Sequence, residues 1–127
     1  MSERAPAATT AGKFVGVVPE KVDEIDASGR EGVCWSAKTD DFNLNVVAWS
    51  PGKGVPVHVN DGADVLLVAF RGQGRVTIDQ REEAFIAGST LIIPRGVRRS
   101  VVAETRLVYL TCHRRQPELF QLPGTKA

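Results

Sequence analysis

The chain has almost no net charge. Sixteen lysines and arginines stand against fifteen aspartates and glutamates, a formal charge of +1. That balance removes any overall bias toward nucleic acid or a membrane surface. No apolar run approaches the length of a transmembrane helix. The opening stretch, MSERAPAATTAGK, lacks the basic-then-apolar order of a secretory signal, so a cytoplasmic location is expected. Cysteine is scarce, and Cys34 and Cys112 form no Cys-x-x-Cys pair. Two isolated thiols in such a chain are expected to be free and buried rather than bridged. No internal repeat is present, and no segment carries a helical period over three turns. Pro19 to Gly29, PEKVDEIDASG, amounts to one helical turn or an irregular leading edge.

What is there is the punctuation of an all-β protein. In FNLNVVAW, Phe42, Leu44, Val46 and Ala48 alternate with a more polar set, Asn43, Asn45, Val47 and Trp49. Period-two patterning of this kind marks a strand with two different faces. Further β-branched, apolar runs occupy Val65–Phe70, Val76–Ile78, Thr90–Ile93, Ser100–Ala103 and Leu107–Thr111. Gly72-Gln73-Gly74, DQREE, Ala87-Gly88 and Pro94-Arg95-Gly96 read as the turns between them. Short strands at such spacing point to a sandwich or barrel. Both faces of VLLVAF are apolar. One face is expected against the barrel interior, the other against an added strand or a second subunit, which makes a homodimer the expected assembly.

At 127 residues the chain is long enough for one domain with a real core. The expected division is a mobile arm at 1–12, a barrel at 13–116 and a tail at 117–127. Pro117 and Pro123 keep the tail extended, and Leu119, Phe120 and Leu122 would anchor it on the surface.

Two stretches then fall into a specific register. Gly52 is followed after five residues by His58, then by Asn60, and Gly72 closes the stretch. Gly88, Pro94, Gly96 and Arg99 make the second stretch. The sequence resembles the cupin superfamily, whose first motif runs Gly, five residues, His-x-His, then Glu and, six residues on, Gly. Its second runs Gly, five residues, Pro-x-Gly, two residues, His, three residues, Asn. The resemblance covers Gly52 to Ala103 and implies a jelly-roll β-barrel with its ligand pocket inside.

The glycines and the proline agree with those motifs, but the ligand positions do not. Where the family places two histidines, a glutamate and a third histidine, this chain has His58, Asn60, Val65 and Arg99. An amide oxygen is a poor transition-metal ligand, valine is none, and arginine stays protonated and repels a cation. The usual metal site is therefore not built by these positions, and no cofactor is expected. A displaced set, His58, Asp64 and His113, is the alternative, and it needs a bulge near Gly62 to turn Asp64 inward.

Arg99 inside a barrel would instead offer a planar donor fork to a small organic anion. Asn60 and Asp64 are candidates to line the same site, Trp49 to form an aromatic floor, and His58 to act as proton donor or acceptor. Against this stands a purely structural reading, in which Arg99 pairs with Asp61 or Asp64 and plugs the old metal position. The clustered Arg95, Arg98, Arg99, Arg114 and Arg115 suggest nucleic acid. Yet no stacking aromatics accompany them, and arginine outnumbers lysine throughout, eleven to five, so neither nucleic acid nor membrane is an expected partner. Three functional readings result. The first is a metal-independent binder of a small anion, with isomerase, epimerase or lyase-type proton transfer as its chemistry. The second is a metal-dependent dioxygenase or isomerase with displaced ligands. The third is a non-catalytic sensor or assembly module with a filled barrel.

Overall fold

The computed structural model describes residues 16–115. The arm expected at 1–12 and the tail expected at 117–127 lie outside that range. One helix, α1 (Pro19–Ser28), precedes nine strands: β1 (Gly32–Lys38), β2 (Phe42–Trp49), β3 (Gly54–Val59), β4 (Val65–Arg71), β5 (Gln73–Ile78), β6 (Arg81–Ile86), β7 (Thr90–Ile93), β8 (Arg98–Ala103) and β9 (Leu107–Arg114). They form two antiparallel sheets with strand orders β1-β2-β9-β4-β7 and β3-β8-β5-β6. Most of these strands sit where the alternation and the apolar runs place them.

Strands β1 and β3 lie outside the runs read as strands, and two further segments differ from expectation. The stretch read as a DQREE turn is in part strand β6, which pairs only with β5 and forms an edge. Its leading Arg81, Glu82 and Glu83 are the charged, solvated residues that edge strands tolerate, and they hide the strand from a hydrophobicity reading. The single helical turn is a ten-residue helix. It buries only Val22 and Ile25, one turn apart, so its apolar stripe is too thin to show as a period. Pro19 opens it and Gly29, at φ 75°, closes it in the left-handed conformation.

The helix covers the outer face of the five-stranded sheet. Val22 and Ile25 pack with Val46, Ala48 and Val108, and Phe70 joins them from β4. The outer side of β4 is thus covered in part by a helix, not by an added strand. Arg106, the last residue of the β8–β9 connection, fastens it: its guanidinium donates to the carbonyls of Ile25 (3.0 Å), Asp26 (3.3 Å) and Arg30 (2.9 Å). A cation over the last carbonyls of a helix also opposes the negative end of its dipole. An ion pair between Arg71 and Asp23 adds a second tie.

Between the sheets lies the main core, with Val47, Leu67, Val76, Phe85, Leu107 and Tyr109. The four glycines of the two motifs, Gly52, Gly72, Gly88 and Gly96, all have positive φ, between 80° and 93°. Gly72 is constrained twice, because a Cβ there would lie 1.8 Å from the Arg106 carbonyl oxygen. Among the described residues, no helix is long and apolar enough to cross a membrane.

Candidate functional site

Strand registers arrange the inward side chains in rows. In the five-stranded sheet, Asn43 pairs with His113, His113 with Val65, and Val65 with Ile93. The next inward row runs Ser36, Asn45, Thr111, Leu67 and Leu91. In the facing sheet, His58 pairs with Arg99 and Arg99 with Ile78. The β3–β4 loop leads from His58 to Val65 and the β7–β8 loop from Ile93 to Arg99. The Asn43 row and the His58–Arg99 row therefore lie at the same end of the barrel. At that end the interior is polar on β2, β9, β3 and β8, and apolar on β4 and β7.

Arg99 reaches the interior by simple alternation. Arg99, Val101 and Ala103 are buried, while Arg98 and Val102 are exposed. His58 gets there differently. Val55 pairs with Val101 and His58 with Arg99, so β3 spends one residue more than β8 between the two pairs. This bulge at Pro56-Val57 brings both Val55 and His58 onto the inner face. Directly opposed residues hold their Cβ atoms about 5 Å apart, so the two side chains leave their strands side by side.

Arg99 is 1% exposed, the largest fully buried side chain of the described residues. Its Nε donates to the Val97 carbonyl (2.8 Å) and its Nη2 to the Pro94 carbonyl (3.0 Å). Nη1 is buried with no partner among the described residues. No carboxylate of the described residues pairs with it; their ion pairs involve Lys21, Arg71, Arg75, Arg81 and Arg106. Burial holds its pKa below the usual arginine range, yet a guanidinium remains charged at neutral pH. A buried cation without a counterion costs several kcal/mol, roughly, of desolvation that two neutral carbonyls offset only in part. The pairing with Asp61 or Asp64 that the structural reading required is not formed.

His58 is half-buried. Its Nδ1 lies 2.9 Å from the Pro56 carbonyl oxygen. A carbonyl only accepts, so Nδ1 carries the proton of that bond. Nε2 is buried and has no partner among the described residues. In the neutral ring it is a buried lone pair.

The other candidates are placed as follows. Asn60 is 4% exposed, but its Oδ1 accepts from the backbone N–H groups of Gly62 (2.9 Å) and Ala63 (3.2 Å). That oxygen builds the β3–β4 turn in place of lining the pocket, as short amide side chains do in loops. Asp64 is a correction. Val65 is fully buried and in regular register from the first residue of β4, so the residue before it faces outward. The Asp64 carboxylate accepts from the Arg95 backbone N–H (2.9 Å), tying two loops together on the surface. Trp49 does face inward, but it pairs with Leu107, at the opposite end of β2 from Asn43. Its Nε1 donates to the Tyr109 hydroxyl (3.1 Å), and Tyr109 meets Phe85 edge-on at 5.5 Å. Trp49 thus belongs to the packed end of the barrel, away from His58 and Arg99. Burial pushes the Tyr109 phenol up to about 12.

Asn43 is a buried polar residue at this end of the barrel that sequence reasoning missed. It is 7% exposed, and its Oδ1 is buried without a partner among the described residues. Its signal was present in the polar half of FNLNVVAW, which turns out to be the inward half. Next to it Asn45 is bonded to Ser36 (2.7 Å) and Thr111 (3.4 Å), so that row is internally satisfied.

These residues do not suit a divalent metal. Of the four positions, only His58 offers a good transition-metal ligand, the Asn60 oxygen is taken by backbone N–H groups, and Arg99 brings a positive charge. The displaced set is not assembled either, because Asp64 faces outward and the His113 Nδ1 is bonded to the Arg114 carbonyl (2.9 Å). Among the described residues no three His, Cys, Asp or Glu side chains come together in a metal-binding group.

Sequence comparison matches no protein-family model and no curated protein. Comparison of structures finds many similar folds. A cupin protein from Bacteroides fragilis superposes with a TM-score of 0.57 at 22% identity, over 70% of this chain and 78% of that one. A cupin superfamily protein from Desulfitobacterium hafniense gives 0.60 at 19%, over 69% and 83%. KdgF from Halomonas sp. gives 0.61 at 15%, over 67% and 80%. The fold is the cupin jelly-roll barrel.

Proposed function

We propose that this cupin barrel binds a small organic anion at the His58–Arg99 end, without the metal its fold usually carries. The observation that supports this reading is Arg99 itself, a buried cation with an unpartnered Nη1 and no protein carboxylate beside it. A structural plug would have supplied its own counterion. The chemistry proposed is proton transfer on the bound anion, of the isomerase, epimerase or lyase type. His58 Nε2 takes a proton from the carbon next to the carboxylate, and the electron pair moves into an enolate facing Arg99. The proton then returns to the same or the neighbouring carbon, so no oxidant or reductant is consumed.

A panel of organic acids screened by thermal shift tests the reading. Stabilisation should appear with some carboxylates and vanish in Arg99→Met, with that variant still folded. Absence of any shift across mono- and dicarboxylates would favour a filled, non-catalytic barrel.

A further inference from the structure

We infer that the anion carries a hydroxyl group beside its carboxylate: the ligand is a small hydroxycarboxylate, bound by Arg99 through the carboxylate and by His58 through the hydroxyl. This rests on the anion-binding reading above and narrows it to one chemical class. The unsatisfied atoms at this end of the barrel are of two kinds. Arg99 Nη1 is a cationic donor that needs an acceptor. His58 Nε2 and Asn43 Oδ1 are acceptors that need donors. A plain carboxylate only accepts, so it would answer Arg99 and leave both acceptors buried and bare. The dianion of a phosphate ester fails in the same way. An amino acid would bring donors, but its ammonium group would place a second cation against the guanidinium. A hydroxyl brings a neutral donor.

The geometry of the two residues supports adjacent groups on one ligand. The Nε–Nη2 edge of Arg99 is occupied by Val97 and Pro94, so the two-pronged side contact with a carboxylate is closed. The two Nη1 N–H groups and the second Nη2 N–H are left, and a second anchoring contact from another residue would add to affinity. His58 is the directly opposed residue on the next strand, and its bond to Pro56 O fixes Nε2 as the atom offered. A 2-hydroxy acid, with its two functional groups on neighbouring carbons, spans that pair. Asn43 Oδ1, at the same end of the barrel, would take a further hydroxyl where the ligand has one.

The test uses matched pairs on the intact chain: L- and D-lactate against propionate, and malate against succinate, titrated by calorimetry. The wild type should bind the preferred hydroxy acid on the order of tenfold more tightly than its deoxy partner, the effect of one buried hydrogen bond. His58→Phe should erase that preference. Arg99→Met should abolish binding of both members. Nitrogen-15 shifts of His58 should show Nδ1 protonated and Nε2 bare in the free protein, with the Nε2 signal moving on addition of the hydroxy acid but not of propionate. Equal affinity within each pair, with both members lost in Arg99→Met, would overturn the hydroxyl assignment while keeping the anion site. Binding of neither member by the wild type would overturn the anion site itself. An Nε2-protonated tautomer in the free protein would also overturn the hydroxyl assignment.

Discussion

Replacing Arg99 by methionine distinguishes a ligand-binding arginine from a structural one before any ligand is known. Methionine keeps the unbranched stem and removes the charge. Two contributions then oppose each other. The variant loses charge-assisted bonds to the Val97 and Pro94 carbonyls, worth roughly 1.5–3 kcal/mol each. It gains relief from holding a desolvated cation that has no carboxylate, roughly several kcal/mol after relaxation. These nearly cancel, so the ligand-free variant should stay within about 2 kcal/mol of the wild type in either direction. Breaking a buried ion pair, by contrast, costs about 3–5 kcal/mol. For a domain of this size 1 kcal/mol moves the melting temperature by about 4 °C, so the two cases differ by more than the error of calorimetry. A saturating anion at about a hundred times its Kd should raise the wild-type stability by about 2.7 kcal/mol and leave the variant unmoved. Scanning calorimetry of both proteins, with and without ligand, decides it. A ligand-free loss well above 3 kcal/mol would show that Arg99 is a plug and that the reasoning from its missing counterion is wrong.

Tyr109 carries a pH prediction. Its folded pKa of about 12 lies above the ordinary 10, so its contribution is whole below pH 10 and is lost as pH rises toward 12, at about 1.4 kcal/mol per pH unit. Urea titrations at pH 9 and 11.5 should show a steeper loss in the wild type than in Tyr109→Phe, and parallel losses would contradict the burial assignment. Arg106→Ala should weaken the clamp on α1 by about 1–2 kcal/mol. Hydrogen exchange should speed at Val22 and Ile25 while Leu67 keeps its protection; uniform loss would mean that the helix and barrel open together. Arg99→His alone should not create a tight transition-metal site, because Asn60 and Val65 stay in place and Asp64 faces away. Stoichiometric zinc in that variant, measured by elemental analysis, would refute the assigned register. For the expected homodimer, the surface to test is the outer groove with Phe42 and Ile92, 50% and 66% exposed, on its wall. Ile92→Asp should shift sedimentation equilibrium toward the monomer, and a wild type that is already monomeric would end that expectation.

Much of the barrel was legible because its strands obey one rule. A buried face repeats every two residues, and β2, β4, β7 and β9 each show that repeat or a continuous apolar run. The motif glycines were legible for a different reason: each marks a backbone angle that other residues adopt only under strain, and those angles recur wherever the same turns do. The segments that escaped are those whose position depends on a neighbour. Helix α1 is held by Arg106 and by two buried side chains, contacts made across most of the chain length. Strand β6 is an edge whose partner β5 sets its conformation, and its own leading residues are charged.

The site divides along the same line. Arg99 could be placed inside the barrel from its spacing to Gly88, Pro94 and Gly96, because β8 alternates without interruption. Asp64 could not be settled that way, since one extra residue anywhere between His58 and Val65 would have turned it inward. The structure does contain a bulge in this region, but it lies earlier, at Pro56-Val57, ahead of His58. There it turns His58 to the inner face and leaves the start of β4 regular, so Val65 takes the interior and Asp64 the surface. A bulge after His58 would have delivered a carboxylate to Arg99 and sealed the charge internally. Its actual position leaves a cation and a bare imidazole nitrogen on opposed residues of neighbouring strands. The same single-residue irregularity thus accounts for both the missing counterion and the geometry that a hydroxycarboxylate would complete.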